Sequence, residues 1–367
     1  MAPPICDISF DENSHGVFLA GQTLAGQVDV TVPKVKKVKS VYLKISGQAT
    51  VKWTESVGSG VSVVYSGREE YVNHVVVLMG SAEEDEMELT EGLHKFHFSC
   101  KLPPSSPTSF EGDFGYIRYT IRIVFERPWK YDLTYKIAFT VVNQLDLNKI
   151  APPLNVATVR ENMKQFSCGP CRSAPMIMTV FIPMSGYVPG QLILVTVDVT
   201  NKSKKDIVKY QCCGVDRNKS AGYQRRLLIP PEPPSRSTNI VRIEYFIEVI
   251  AKVPGLYTSP RVKIPITIGT VPLANLNKSQ EQSSIVDGQL KGSGTTANFP
   301  AQFLSSSAQS LKIPHSFEES LSRAKINIHE DDEQQTLGAK PFTPRYPVYK
   351  FEQPGNDSSR KASSSTS

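Results

Sequence analysis

At 367 residues the chain is long enough for two ordinary domains with residues to spare. Its 40% apolar and 21% charged residues fit a globular protein and exclude a wholly disordered or fibrous one. No run reaches the ~18 consecutive apolar residues of a spanning helix, and the net charge of +6 sits in the first 274 residues, because Lys/Arg and Asp/Glu balance at ten each from Asn275 onward.

Taken in chain order, Met1-Ala2-Pro3-Pro4-Ile5-Cys6-Asp7 lacks a basic region followed by an apolar run. It therefore does not read as a secretory signal, and a cytosolic or nuclear chain is expected, with the sequon at Asn201-Lys202-Ser203 idle. Val28, Val30 and Val32 alternate with polar residues, as do Val41, Leu43 and Ile45, which predicts strands. Between them lies a basic cluster, Lys34, Lys36, Lys37 and Lys39, answered later by Lys202, Lys204 and Lys205. Either these lysines are solvated loops, or they meet acidic lipid or a phosphorylated receptor segment. Nucleic acid is not expected, since no aromatic residues alternate with them. His94 and His97 flank Phe96 in a strand pattern and fall on opposite faces, so a metal shared between them is not expected. Ile117, Tyr119, Ile121 and Ile123 share one face, with Arg118, Thr120 and Arg122 on the other. Lys136–Val142 closes one unit and Val262–Ile268 a second. Many short strands, 27 prolines and no helical periodicity before residue 310 predict an all-β protein built of sandwiches or barrels.

The chain also repeats itself. Gly21-Gln22 followed by Val28-Asp29-Val30-Thr31 recurs 169 residues on as Gly190-Gln191 followed by Val197-Asp198-Val199-Thr200. Leu102-Pro103-Pro104 and Tyr119-Thr120-Ile121 recur in the same order as Ile229-Pro230-Pro231 and Tyr245-Phe246-Ile247, which predicts a duplicated domain. Gly21 and Pro103 are 82 positions apart but Gly190 and Pro230 only 40, so the second copy is 42 residues short. That is room for two or three strands of ~5–6 residues with their loops. The expected organisation is a β-sandwich over residues 1–150, a shortened one over 151–274, and a flexible tail over 275–367, whose Ser/Gln/charge composition cannot offset its ordering entropy.

Gly16-Val17-Phe18-Leu19-Ala20-Gly21-Gln22, Ser185-Gly186-Tyr187-Val188-Pro189-Gly190-Gln191, Ile229-Pro230-Pro231-Glu232-Pro233-Pro234-Ser235 and Ile266–Leu273 resemble the arrestin family, in its α-arrestin (arrestin domain-containing) branch, and Phe342–Tyr349 extends the likeness into the tail. The resemblance implies two tandem immunoglobulin-like sandwiches in the cytoplasm, recruited to the plasma membrane and endosomes. It also implies an adaptor that grips the tails of membrane cargo and delivers WW-domain HECT-type ubiquitin ligases to it, for endocytosis or other trafficking. Delivery in the family uses Pro-Pro-x-Tyr motifs, whose prolines fill an aromatic groove while the tyrosine fills a second pocket. This chain has only degenerate forms: Pro314-His315-Ser316-Phe317 and Thr343-Pro344-Arg345-Tyr346, with Tyr349 following. Pro314, Phe317, Pro344, Tyr346 and Tyr349 are thus the candidate ligase contacts, with Tyr346 carrying what binding remains. Ser316-Phe317-Glu318-Glu319 also reads as a capping box opening a short helix toward Ile326.

Cys168-Gly169-Pro170-Cys171 has the residues of a thioredoxin-type dithiol but precedes a strand pattern, Met176–Val180, where that chemistry needs a helix N-terminus. It reads as incidental or structural, with a redox or metal contact as the alternative. Cys212-Cys213 offers poor tetrahedral geometry for a shared zinc. No Gly-rich phosphate loop, nucleophile elbow or histidine pair at metal spacing is present, so neither catalysis nor a cofactor is expected. The leading expectation is a non-enzymatic adaptor. Its rivals are a redox-linked regulator that touches thioredoxin through Cys168 and Cys171, and a non-functional or dominant-negative isoform.

Overall fold

The computed structural model describes residues 3–11, 15–58, 60–80, 86–168, 171–172, 174–203, 206–207, 215–255, 257–274, 314–321, 326, 328, 336–337 and 341–351. The first unit runs β1 (Ile5–Phe10), β2 (Val17–Leu19), β3 (Thr23–Val32), β4 (Lys36–Val38), β5 (Ser40–Ser56), β6 (Ser62–Gly80), β7 (Met87–Leu89), β8 (Gly92–Lys101), β9 (Phe110–Glu111), β10 (Gly115–Glu126) and β11 (Leu133–Val142). One layer is ordered β1-β3-β8; the other is ordered β2-β11-β10-β5-β6, with β9 added to β10. The alternation read in the sequence places Val28 and Val30 from one layer against Leu43, Ile45, Ile121 and Ile123 from the other, all fully buried.

The second unit runs β12 (Thr158–Lys164), β13 (Ser167–Cys168), β14 (Cys171–Arg172), β15 (Met176–Ile182), β16 (Gly186–Tyr187), β17 (Leu192–Asn201), β18 (Lys219–Leu228), β19 (Arg236–Ser237), β20 (Arg242–Ile243), β21 (Tyr245–Ile250) and β22 (Arg261–Ile268). Its layers are ordered β12-β15-β17-β18 and β16-β22-β21. The chain is therefore all-β, two sandwiches in tandem.

The duplication holds at the level of single bonds. Gly21 and Gly190 turn at φ +86° and +88°, where a side chain is disfavoured. After each, the glutamine oxygen caps a backbone N–H three residues back, Leu19 at 2.9 Å and Val188 at 3.2 Å. Tyr119 donates its hydroxyl to Pro107 O at 2.7 Å and Tyr245 donates to Pro233 O at 2.8 Å. β3 pairs with β8 from Thr23↔Lys101 to Val32↔Gly92, and β17 pairs with β18 from Leu192↔Leu228 to Asn201↔Lys219, the same register. Between these paired ends the first unit spends residues 33–91 and the second only 202–218, 59 against 17, so the 42-residue shortfall falls entirely here. Among the described residues the second unit has no counterpart of β4 to β7, above all of the long β5–β6 hairpin that pairs along the edge of β10.

Part of the segment expected to be flexible is folded. β23 (Ser316–Glu319) pairs antiparallel with β25 (Arg345–Val348), and β24 (Thr336–Leu337) pairs parallel with β11. The helix expected from the Ser316 capping box is replaced by a strand. Phe317 lies opposite Pro347, Arg345 Nη2 reaches Glu319 Oε1 at 3.1 Å, and His315 N donates to Val348 O at 3.0 Å. A long-range partner thus satisfies the backbone groups that a capping box would have satisfied locally. Residues 275–313 and 352–367 lie outside the described residues.

Candidate functional site at the domain seam

The two sandwiches are stitched together by side chains of the second entering the first. The turn joining β19 to β20 carries Ile240 and Val241, and β20 carries Ile243, against the core of the first unit, where Val241 is buried. Asn239 Nδ2 donates to Glu69 Oε1 of β6 at 2.7 Å, and Arg236 donates to Asn143 Oδ1. Asn143 is itself fixed by donating Nδ2 to Ser106 O at 2.7 Å. A return link is made where Leu145 N donates to Thr270 Oγ1 at 2.7 Å and Thr270 N donates to Leu145 O at 2.9 Å.

Beside this seam opens a cleft of about 500 Å³, lined mainly by apolar groups. β5 contributes Val51 and Trp53, the β9–β10 connection Phe110 and Phe114, and the second unit Ile240 and Val241. Trp53 stacks on Tyr65 across the hairpin at 5.1 Å between ring centroids, which holds the indole at the wall of the cleft. Phe114 is 67% exposed, a costly position for a large apolar ring unless something covers it in use. Glu55, Asp113 and Arg242 supply charge at the rim. Such a cleft, apolar with a few charges, suits a peptide anchored by a large side chain.

Next to the cleft lies a buried ion pair. Arg118 meets Glu111 with Nε–Oε1 at 2.7 Å and Nη2–Oε2 at 2.9 Å, and the guanidinium rests 3.9 Å over the Tyr116 ring. The sequence places Arg118 on the outer, polar face; the C-terminal segment buries that face, and Glu111 of the neighbouring β9 stabilises the guanidinium as a bidentate carboxylate. Tyr346 is seated here with 1% exposure, donating its hydroxyl to Ser109 O at 2.9 Å. Burial raises the Tyr346 phenol well above the ordinary value, and Tyr245, Glu232 and Glu111 push in the same direction. Tyr349 is buried on the second unit, with Tyr349 N donating to Pro189 O at 3.0 Å and its hydroxyl bonded to Thr270 O.

Comparison with known proteins agrees with this architecture. Residues 6–148 match the family model of the arrestin (or S-antigen) N-terminal domain and residues 207–273 that of the arrestin C-terminal domain. The chain belongs to the arrestin family. Within it the relatives are α-arrestins. The chain is 27% identical over 423 aligned residues to arrestin domain-containing protein 17 of Caenorhabditis elegans, covering 92% of this chain and 97% of that one. It is 28% identical over 304 residues to mouse arrestin domain-containing protein 4, covering 73% and 72%. It is 26% identical over 283 residues to rat arrestin domain-containing protein 1, covering 70% and 62%.

In this arrestin the candidate residues of the sequence are not gathered at one place. Lys36 and Lys37 lie in β4, whose partner β7 brings Glu88 opposite Lys37, and Lys37 Nζ reaches Glu86 Oε2 at 3.4 Å in an exposed pair. Lys34, Lys39 and Lys202 are exposed, while Lys204 and Lys205 lie outside the described residues. Cys168 and Cys171 are cross-strand partners in the two-residue ladder of β13 and β14; their side chains, like Cys212 and Cys213, lie outside the described residues. Pro314 and Phe317 are half-buried. Pro344, Tyr346 and Tyr349, the expected ligase contacts, are buried, so a WW domain reaches them only if the segment detaches. Sequence reasoning missed Trp53, Phe114 and the Arg118–Glu111 pair. The available signal was a tryptophan and a phenylalanine in otherwise polar strand ends, which by itself does not say that they converge.

Proposed function

We propose that this arrestin is a non-enzymatic cytoplasmic adaptor whose seam cleft binds extended segments of membrane-protein cargo, receptors or transporters, and connects them to trafficking. The observation that carries this reading is the open aromatic cleft of Trp53, Phe110 and Phe114 at the seam with Ile240 and Val241 of the second sandwich. Exposed Lys34, Lys37 and Lys39 would favour an acidic membrane surface, through long-range attraction more than through any single contact. Ubiquitin-ligase binding is the weaker half of the reading, because the degenerate tail motifs are paired as strands or buried. Proximity labelling in cells with the wild-type chain and with Trp53→Ala/Phe114→Ala tests it. Membrane receptors and transporters should be lost from the labelled set of the double variant, and an unchanged labelled set would sink the cleft as the cargo site.

A further inference from the structure

We propose that two copies of the chain associate by pairing their β21 strands antiparallel about Glu248, joining the two shortened sheets into one. The argument begins from what the 42-residue shortfall exposes. In the first sandwich β10 has β11 on one side and β5 on the other, whereas β21, its counterpart, has β22 on one side and no partner among the described residues on the other. Open strand edges are template sites for another strand, and proteins usually blunt them with proline, lysine or a bulge. Tyr245–Ile250 contains neither proline nor lysine, and its one charge, Glu248, lies within reach of Arg261 at 3.7 Å and Lys263 at 3.9 Å.

The direction of the free groups follows from the ladder. Ala251 N donates to Pro260 O, and β21 and β22 keep that register along their length, so the odd-numbered residues of β21 bond to β22. The N–H and C=O groups of Phe246, Glu248 and Ile250 therefore point to the open edge. Pro265 sits opposite Phe246, a place where β22 owes β21 no donor, which agrees with this assignment.

The occupant is fixed by self-complementarity. A two-fold axis at Glu248 sets Phe246 opposite Ile250 of the second copy, and both are exposed, at 52% and 39%. It sets Glu244, which already pairs with Arg242 of its own chain, opposite Lys252, two opposite-charge contacts per dimer, and leaves Glu248 facing its own copy with Arg261 and Lys263 of both chains beside it. On the inner face it sets Ile247 opposite Val249 and Tyr245 opposite Ala251. That last pairing repeats the logic of the first sandwich, where Tyr119 faces Gly47 and a Cβ on Gly47 would lie 2.4 Å from the tyrosine ring. About six backbone hydrogen bonds would join the copies, three outward residues from each.

Sedimentation equilibrium of the full chain tests this. The wild type should show a concentration-dependent monomer–dimer equilibrium. Glu248→Pro forfeits an outward-facing N–H and no backbone bond to β22, together with the exposed side-chain pairs to Arg261 and Lys263, and should weaken the dimer about tenfold or more. Glu244→Lys and Lys252→Glu should each weaken it, and the two together should restore it, a rescue that misfolding cannot imitate. Oxidised Glu248→Cys should cross-link as a symmetric dimer, since directly opposed bonded residues lie about 5.5 Å apart. A wild type that stays monomeric overturns the proposal, as does a dimer indifferent to Glu248→Pro or a charge swap without rescue.

Discussion

The two sandwiches share a strand register but not a cover. Tyr119, Ile121 and Ile123 have no exposed surface beside β5, while their counterparts Tyr245 and Val249 are half-buried and Ile247 keeps 7%. Phe98 and Cys100 of β8 are buried at 4% and 7%, where β18 has Arg225 exposed and Leu227 45% exposed. The difference teaches that the ladder and the cover are specified separately. Paired strands need only local alternation and a glycine-bearing turn, both present in each copy. A dry core needs a second hairpin that widens the sheet beyond β10, and each Å² left wet forfeits roughly 25 cal/mol.

The largest expected effect that sharpens this comparison is at the buried ion pair, which has no equivalent in the second sandwich. Arg118→Met leaves Glu111 buried without its cation and should cost about 3–5 kcal/mol in urea unfolding, whereas Glu244→Gln, at the corresponding but exposed position, should change little. A loss below ~1 kcal/mol for Arg118→Met would mean that the pair is no more than a surface contact.

Next in size are the matched core truncations. Ile121→Ala should cost ~2–5 kcal/mol and Ile247→Ala distinctly less, because the second site already borders open space and forfeits a smaller cavity. The same contrast predicts that limited proteolysis cuts first within β18 and the connection before it, leaving a resistant fragment near residues 5–150. Equal losses, or first cuts inside β10 or β11, would break the comparison.

The smaller effects concern the C-terminal segment. Restoring His315→Pro with Phe317→Tyr should tighten an isolated tail peptide on a WW domain about tenfold, ~1.4 kcal/mol. In the full chain the gain should shrink, because β23 must first leave β25. Identical gains in calorimetric titrations of peptide and full chain would show that the strand pairing is negligible. Tyr346→Phe should loosen the segment by ~1 kcal/mol, the worth of its bond to Ser109 O. The Tyr346 phenol is raised in the folded state, so its contribution is complete below the ordinary value of 10.0 and is lost as pH climbs above it. Tyr349, pushed up to about 12 by burial, acts in the same sense. Protease release of residues 341–351 should therefore accelerate as pH rises from about 10 to about 12, and less steeply in Tyr346→Phe.

Much of the fold was legible because it rests on short-range chemistry. Val28 and Val30 reveal a half-buried strand by alternation alone. The recurrence of Gly21-Gln22 as Gly190-Gln191 reveals a second copy, and the spacing to Pro103 and Pro230 measures what that copy lacks. The site was less legible. Arg118 occupies a polar-face position, and only Glu111 of β9 and the C-terminal segment over that face turn it into a core residue. Ser316-Phe317-Glu318-Glu319 satisfies the pattern of a helix start, yet a strand 26 residues away in Arg345–Val348 competes better for the same backbone groups.

The sequence by itself determined the all-β class, the duplication, the length of the shortfall and the absence of a recognisable catalytic motif, since each is written in residue order and spacing. Tertiary structure alone decided which strands the shortfall removes, and that Trp53, Phe110 and Phe114 line one cleft with Ile240. It also decided that Tyr346 is buried between a carboxylate pair and a backbone carbonyl instead of displayed to a partner. The physical reason is separation along the chain. Alternation and turns are set by neighbours a few residues apart, but a cleft or a seated tail is set by surfaces that meet only after both sandwiches have folded.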